Sequence, residues 1–141
     1  MANKKILIAE DNPKHMRVTE MTLRTKGYTL LQAIDGQEAL DMATRERPDL
    51  IIMDLRLPKM SGFEVTRKLR EAPGFSHIPI IAITAYVVKG DKERVINAGF
   101  DAYLPKPFNT REFPGLVAQI MLQRQKGNTN GSGEENSCNR R

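Results

Sequence analysis

The stretch LIIMDLRLP, residues 50–58, places a carboxylate directly after an apolar run. The four residues from Leu50 to Met53 predict a buried strand, and Asp54 follows at once. Burying a carboxylate without a partner is costly, because its charge loses contact with water. Asp54 is therefore a candidate functional residue whose partners must come from elsewhere in the chain.

Apolar runs of this kind recur along the chain and alternate with segments that carry helix signals. The five runs predicted as strands are residues 6–9, 28–34, 50–53, 78–84 and 102–104. Near-continuous apolar strands rich in Ile and Leu are typical of a parallel sheet covered on both faces. Five successive strand-then-helix units predict an α/β fold with a doubly wound (βα)5 sheet.

Capping residues mark where several helices begin. Asn12 followed by Pro13 is typical of an N-cap and a first helical residue. The segments DGQE at 35–38 and SGFE at 61–64 have the pattern of capping boxes. These signals fall directly after predicted strands or loops, as alternating strands and helices require.

The predicted helices are not equally well anchored. Val18 and Leu23, supplemented by Thr19 and Thr22, are expected to give the first helix a thin core face. The fourth helix offers Val95 and few other apolar residues, so we expect it to be weakly anchored. Pro114 lacks an N–H and crowds the preceding turn, and it is expected to disturb the start of the fifth helix.

Length and composition narrow the class of protein. The 141 residues, 40% hydrophobic and 28% charged, predict one globular domain at residues 1–125 and a disordered polar tail at 126–141. The single cysteine, Cys138, permits no internal disulfide. No apolar run approaches a membrane span or a secretion signal, so we expect a cytoplasmic protein without a membrane partner. The net charge of +5 is spread among acidic residues, so no nucleic-acid partner is expected.

Polar side chains stand at the ends of the predicted strands. Glu10 and Asp11 follow the first strand, Asp54 the third, Thr84 ends the fourth and Lys106 follows the fifth. Sites in open parallel sheets form beyond the carboxyl ends of the strands. If the first and third strands are neighbours, three carboxylates converge, and two charges about 4 Å apart repel by roughly 4 kcal/mol at an effective dielectric of about 20. Protons or a cation must compensate, and Mg²⁺ suits such oxygen ligands.

These residues also have simpler interpretations. Asp11 precedes the helix start at Asn12, so capping a helix and binding a metal are equally supported for it. His15 and His77 are isolated in the sequence and are interpreted as ordinary surface residues. No grouping of histidine and cysteine favours zinc.

Four motifs resemble those of the receiver domain of two-component response regulators. They are ILIAEDNP (6–13), PDLIIMDLRLPKMSGFE (48–64), IPIIAITAY (78–86) and AGFDAYLPKPF (98–108). The motifs stand in order and at the usual spacing, and the resemblance covers residues 3–125. It implies a flavodoxin-like, CheY-like fold with a five-stranded parallel sheet of order 2-1-3-4-5 and helices on both faces.

The resemblance also implies how a phosphoryl group would be accepted. Asp54 would receive it from a sensor histidine kinase or a histidine phosphotransfer protein. Asp11, Asp54 and the backbone carbonyl of Arg56 would bind Mg²⁺ directly, and Glu10 would act mainly through water. An acid at the end of a rigid strand would thus be held in fixed geometry beside its metal.

Other matched residues would act on the phosphoryl group or respond to it. Thr84 would hydrogen-bond it and Lys106 would pair with its charge. Tyr103 matches the aromatic residue that turns inward on activation, changing the face formed by the fourth helix, fifth strand and fifth helix. Arg56 and Tyr86 match positions that flank the phosphoryl group, where we expect them to hinder water and slow its loss.

The function implied is that of a single-domain response regulator. It would be a phosphorylation switch that binds a downstream protein, or an intermediate that passes the phosphoryl group on in a phosphorelay. Such a protein is a phosphoacceptor rather than an enzyme with a separate substrate. The sequence leaves the kinase, the output partner and the oligomeric state open, a homodimer included.

Two other classes of protein compete with this interpretation. A phosphatase with an aspartate nucleophile would also use Asp54 and Mg²⁺, but it would normally place a second acid two residues later, where Arg56 stands. A flavodoxin-like FMN carrier would need a Ser-, Thr- or Gly-rich loop after the first strand, where the sequence is the acidic EDNPKHM. There is also no P-loop motif for a nucleoside triphosphate.

Overall fold

Five parallel strands form one sheet, as the sequence predicts. The computed structural model describes residues 4–85, 91–106 and 109–130, without the side chains of 91–92 and 124–130. The strands are β1 (Lys5–Ala9), β2 (Thr29–Ala33), β3 (Leu50–Asp54), β4 (Ile80–Thr84) and β5 (Ala102–Pro105). The helices are α1 (Pro13–Arg24), α2 (Gly36–Glu46), α3 (Gly62–Glu71), α4 (Asp91–Asn97) and α5 (Phe113–Asn130). The strand order is β2-β1-β3-β4-β5, which confirms the predicted topology.

The three central strands form the buried middle of the sheet. Every residue of β3 and β4 is buried, and so is every residue of β1 except Lys5. The edge strands β2 and β5 are partly exposed along most of their length. Central strands of a parallel sheet are covered on both faces, which explains why their sequences are apolar at successive positions.

Successive strand residues point to opposite faces of the sheet and contribute to two separate cores. Leu7 and Ile51 belong to the core that includes residues of α2, α3 and α4. Ile6 and Ile52 belong to the core that includes residues of α1 and α5. Helices therefore cover both faces, and the doubly wound architecture is confirmed.

The predicted N-caps are present at α1, α2 and α3. The side chain of Asn12 accepts hydrogen bonds from the backbone N–H groups of Lys14 and His15, at 2.9 and 3.2 Å. Asp35 accepts from a backbone N–H in the first turn of α2, and Ser61 does the same in α3. Each cap satisfies helix N–H groups that have no partner within the helix, a contribution of about 1 kcal/mol.

The core face of α1 differs in part from the predicted one. Thr19 and Leu23 are buried as predicted, together with Met16, whereas Thr22 is partly buried and Val18 is 45% exposed. The prediction that Val18 faces the core is wrong. Met16, Thr19 and Leu23 recur at the spacing of one helix face, and Val18 lies about 100° around the helix axis from Thr19.

Among the described side chains of helix α4, those of residues 93–97, one is buried, in line with its few apolar residues. Val95 is fully buried, but Ile96 beside it is 50% exposed. The guanidinium of Arg94 lies 4.5 Å from the centre of the Phe63 ring on α3. This cation–π contact gives α4 an additional attachment, worth about 0.5–1 kcal/mol at an exposed site.

Helix α5 begins beside its proline and extends beyond the predicted boundary. Pro114 is the second residue of the helix, where its missing N–H removes no intrahelical hydrogen bond, so the expected disturbance is absent. The helix continues to Asn130, although a disordered tail was predicted from residue 126. Residues 131–141, the rest of that tail, lie outside the described residues. Among the described helices, none is long and apolar enough to cross a membrane.

One arginine connects the loops at the amino ends of β4 and β5. The Arg70 side chain donates to the carbonyl oxygens of Gly99, Ser76 and Ile78 at 2.9, 3.0 and 2.7 Å. It also donates to Oδ2 of Asp101 at 3.0 Å. The end of α3 is thereby fixed to both loops, at the edge of the sheet opposite to the strand-end carboxylates.

Candidate functional site

The strand order brings the predicted site residues to one edge of the sheet. Asp54 is the last residue of β3 and Thr84 the last of β4. Glu10 directly follows β1, and Lys106 directly follows β5. Since β1, β3, β4 and β5 are consecutive in the sheet, their carboxyl ends place these four side chains side by side.

Three carboxylates converge at this edge. Oxygens of Glu10, Asp11 and Asp54 all lie within 4.8 Å of one another. Glu10 and Asp54 are buried, with 1% and 5% of their surfaces exposed, whereas Asp11 is exposed. Carboxylate oxygens at this separation are suitable ligands for a hard divalent cation, with Asp11 on the side open to solvent.

The carboxylate of Asp54 is held on both sides. Its Oδ1 accepts from the backbone N–H of Arg56 at 2.9 Å, and its Oδ2 accepts from Lys106 Nζ at 2.9 Å. Behind it, Gly62 lets α3 approach β3 closely, because a Cβ there would lie 2.5 Å from the Asp54 carbonyl oxygen. The side chain is therefore fixed both by hydrogen bonds and by the packing of its backbone.

The Lys106 ammonium bridges the buried acids. Nζ donates to Glu10 Oε1 at 2.6 Å and to Asp54 Oδ2 at 2.9 Å, and it lies 2.9 Å from His15 Nδ1. Burial alone would lower the pKa of Lys106, but its hydrogen bonds to Glu10 and Asp54 outweigh this effect and the pKa lies above the usual value. Lys106 is therefore a fixed positive charge in the site.

Glu10 has an unusual acidity. Burial raises the pKa of its carboxyl to about 7, and the negative charge of Asp54 acts in the same direction. The hydrogen bonds from Lys106 and from the backbone N–H of Asn12 oppose this rise without cancelling it. Near neutral pH, the metal-free site therefore exchanges a proton at Glu10, which agrees with the expectation that protons or a cation relieve the repulsion.

His15 belongs to the site, and its interpretation as an ordinary surface residue is wrong. Its Nδ1 lies 2.9 Å from Lys106 Nζ and 3.8 Å from Glu10 Oε2. The signal that indicates this placement is the N-cap at Asn12. Side chains in the first turn of a helix lean back toward its N-terminus, here toward the end of β1. His77, by contrast, is exposed in the α3–β4 loop.

Asp11 does not cap α1. Asn12 is the N-cap, and its side chain accepts the hydrogen bonds of the first turn. Of the two interpretations left open by the sequence, capping is thus excluded for Asp11. Its carboxylate remains within reach of Glu10 and Asp54.

The remaining predicted residues are those expected to contact, respond to or shield the phosphoryl group. Thr84 is buried, with 2% exposure, and its carbonyl oxygen accepts from the Lys106 backbone N–H at 2.8 Å. Tyr103 on β5 packs against the core that includes residues of α2, α3 and α4, and its phenolic oxygen is buried. The Arg56 side chain is exposed. Tyr86 lies outside the described residues, so its expected position beside Arg56 stays a prediction.

The loop after Asp54 is attached to the start of α2, a contact that the sequence did not reveal. The Gly36 N–H donates to the Pro58 carbonyl at 3.0 Å, and Lys59 Nζ lies 3.6 Å from Asp35 Oδ2. A Cβ at Gly36 would collide with the Met60 carbonyl group. This close approach holds the loop that carries the Arg56 backbone.

Similarity to known proteins extends over most of the chain. Residues 6–118 match the family model of the response regulator receiver domain. The chain belongs to this family. Membership of a two-component signalling family and the CheY-like fold are thereby confirmed, and the three acidic residues form a cluster that could hold a metal ion.

Individual proteins similar to this receiver domain include a curated relative and several solved structures. The polar-differentiation response regulator DivK of Brucella anthropi is 43% identical over 110 residues, which cover 78% of this chain and 89% of that protein. The receiver domain of the sensor histidine kinase PA1611 of Pseudomonas aeruginosa PAO1, which has a magnesium ion coordinated in its active site cleft, is 39% identical. Its TM-score is 0.78, and the match covers 85% of this chain and 98% of that one. A CheY-like receiver domain protein of Methanospirillum hungatei JF-1 is 28% identical with a TM-score of 0.82, covering 89% and 98% of the two chains.

Proposed function

We propose that this receiver domain is a phosphorylation switch in which Asp54 accepts a phosphoryl group from a phosphohistidine. The observation that carries the proposal is a buried carboxylate at a strand end, with two further carboxylates within 4.8 Å and a lysine ammonium at 2.9 Å. The donor is a sensor histidine kinase or a histidine phosphotransfer protein, in keeping with the family. The cytoplasm is the compartment in which such donors act.

Asp54 is the nucleophile. A carboxylate oxygen of Asp54 forms a bond to phosphorus while the phosphorus–nitrogen bond of the phosphohistidine breaks, and the leaving imidazole takes up a proton. The product is an aspartyl phosphate. The hydrogen bonds from Arg56 and Lys106 hold the carboxylate in place before transfer, so little reorientation is needed.

The donor set fits Mg²⁺. Three carboxylates in reach of one another offer hard oxygen ligands, and the exposed Asp11 leaves the cluster open to solvent, as a partly hydrated ion requires. Glu10, Asp11, Asp54 and the backbone carbonyl of Arg56 would hold the ion. When bound, Mg²⁺ supplies positive charge for the phosphoryl oxygens during transfer.

Lys106 and Thr84 provide the other contacts to the phosphoryl group. The Lys106 ammonium already donates to Asp54, so it is within reach of a group attached to that carboxylate. Thr84 is buried at the end of the adjacent strand and presents a hydroxyl for a hydrogen bond. Both groups stabilise the negative charge that transfer brings into the site.

Phosphorylation then alters the face formed by α4, β5 and α5. Thr84 moves toward the phosphoryl group, and Tyr103 on the neighbouring strand responds through its packing, a local charge change that biases a two-state element. A downstream protein binds this face, or the phosphoryl group is passed on in a phosphorelay. Arg56 and Tyr86 shield the phosphoryl group from water and lengthen its lifetime.

The protein assists only its own phosphorylation and dephosphorylation and turns over no separate substrate. The exposed side chain of Arg56, two residues after Asp54, supports this proposal. An aspartate-nucleophile phosphatase would normally have its general acid at that position, and a guanidinium does not donate a proton readily.

The test is phosphorylation by a small donor. Acetyl phosphate and Mg²⁺ should add one phosphoryl group to the protein, measured by intact mass. Asp54→Asn and removal of Mg²⁺ by a chelator should each abolish the addition, whereas Asp41→Asn, at an exposed aspartate on α2, should leave it intact. Equal phosphorylation of the Asp54→Asn variant would overturn the proposal.

A further inference from the structure

The hydrogen bonding of Lys106 assigns a role to the side chain of His15. An ammonium group has three donors and no acceptor, so His15 Nδ1, 2.9 Å from Nζ, must accept the hydrogen bond. The ring proton of an imidazole that accepts in this way is on Nε2. The 3.8 Å separation between Nδ1 and Glu10 Oε2 is too long for a hydrogen bond and does not compete with this assignment.

We propose that His15 is a positioning residue for Lys106, holding the ammonium beside Asp54 throughout phosphoryl transfer. The inference rests on the proposed function and adds a residue that contacts neither the phosphoryl group nor the metal. It acts through Lys106, and its contribution is to the rate at which Asp54 is phosphorylated.

The other two acceptors of Lys106 change their bonding during the reaction. Glu10 is a candidate metal ligand, and a carboxylate that holds a cation has less negative charge to offer an ammonium. Asp54 loses its carboxylate charge when it is phosphorylated. His15 is the one of these three acceptors that is neither a candidate metal ligand nor the phosphorylated group, so its hydrogen bond can persist and keep the long lysine side chain in place.

The position of His15 is fixed by its helix rather than by its own burial. Its backbone N–H donates to the Asn12 cap at 3.2 Å, and the next residue, Met16, is buried in the core. The His15 side chain itself is 44% exposed. A substitution there should therefore be tolerated by the fold while removing the acceptor from Lys106.

The experiment compares variants with and without an acceptor at this position. His15→Leu removes it, whereas His15→Asn places a side-chain oxygen where Nδ1 lies. With acetyl phosphate and Mg²⁺, His15→Leu should slow Asp54 phosphorylation roughly three- to tenfold, the scale of one ordinary hydrogen bond. His15→Asn should stay within about twofold of wild type, since its oxygen replaces the acceptor. His77→Leu, in the exposed α3–β4 loop, is the matched control and should have no effect.

A second measurement observes Lys106 directly. Nitrogen-15 NMR should detect the Lys106 ammonium protons in the metal-free wild type, because three hydrogen bonds slow their exchange with water. The signal should be lost in His15→Leu and kept in His15→Asn. Equal phosphorylation rates for wild type and His15→Leu, or an unchanged Lys106 signal in His15→Leu, would overturn this inference alone. Failure of the wild type to be phosphorylated would instead overturn the proposed function.

Discussion

The ammonium nitrogen of Lys106 lies 2.6 Å from Oε1 of Glu10, so residues from the two ends of the domain share one buried hydrogen bond. The same nitrogen lies 2.9 Å from Asp54 Oδ2. In the metal-free protein, Lys106 is thus the cation that compensates the buried acids. A divalent ion in the same cluster would compete with it for both carboxylates.

Replacing Lys106 by Met should therefore have opposite effects on folding and on metal binding. At pH 8, without metal, the buried acids lose their cation and the free energy of unfolding should fall by about 2–4 kcal/mol. Mg²⁺ should bind roughly tenfold more tightly, because the competing positive charge is gone. Urea unfolding and isothermal titration with Mg²⁺ measure the two quantities.

A lysine at the other end of β1 provides the control for this substitution. Lys5 Nζ lies 3.6 Å from Glu46 Oε1, in a partly exposed ion pair. Lys5→Met should change the stability by less than about 1 kcal/mol. It should leave Mg²⁺ affinity unchanged. Weaker Mg²⁺ binding by Lys106→Met would show that Lys106 and Mg²⁺ do not compete for these carboxylates.

Glu10 should make the metal-free protein less stable as the pH rises. Its pKa is about 7 in the folded protein and near 4.5 in the unfolded chain. The folded state therefore binds the proton more tightly, and the stabilisation is complete below about pH 4.5 and is lost as the pH rises through 7. The loss attributable to Glu10 should be at most about 3 kcal/mol.

The Glu10→Gln variant isolates this contribution. Urea unfolding in the presence of a chelator, from pH 5 to 8, should show a steeper fall for wild type than for the variant. Other titrating groups are common to both proteins, so the difference belongs to Glu10 and to the groups coupled with it. Parallel curves would show that Glu10 keeps an ordinary pKa in the folded state.

The elements that the sequence predicted correctly depend on local chemistry. The run from Leu50 to Met53 is apolar because β3 is covered on both faces, and the caps at Asn12 and Ser61 bond within their own helix turns. Such signals lie within a few residues of one another. Asp54 is likewise recognisable from its immediate neighbours, because a charged residue directly follows four apolar ones.

What the sequence did not reveal depends on segments that meet only in the folded chain. His15 reaches Lys106 across 91 residues of sequence, and Arg70 reaches Asp101 across 31. The cap at Asn12 places His15 near the end of β1, but no periodicity or cap signal reports which distant residue it meets. The choice between Met16 and Val18 on α1 was likewise set by how the helix packs on the sheet rather than by apolar character, which both residues have.

Thr66 on α3 offers a substitution that should stabilise the protein. It is fully buried, and its hydroxyl oxygen has no hydrogen-bond partner among the described residues. Thr66→Val has nearly the same shape and no unsatisfied polar atom, so unfolding should require about 1 kcal/mol more free energy. Thr22→Val is the control, because the Thr22 hydroxyl donates to the Thr19 carbonyl at 2.8 Å, and it should be neutral or destabilising. A destabilised Thr66→Val variant would indicate that the hydroxyl has a partner in solution, such as a bound water.

Arg70 should support the fold without affecting the phosphorylation site. Its side chain is 18% exposed and donates to Asp101 and to three backbone carbonyls, at the sheet edge opposite to Asp54. Arg70→Leu removes all of these donors from a partly buried set of acceptors, and the free energy of unfolding should fall by about 2–4 kcal/mol. Arg70→Lys should recover only part of this loss, because one ammonium cannot span the same acceptors.

Arg67→Leu, on the exposed side of α3, should cost less than about 1 kcal/mol. Under conditions where all variants are folded, their rates of phosphorylation by acetyl phosphate should equal that of wild type; a slowed Arg70→Leu variant would show that the two edges of the sheet are coupled.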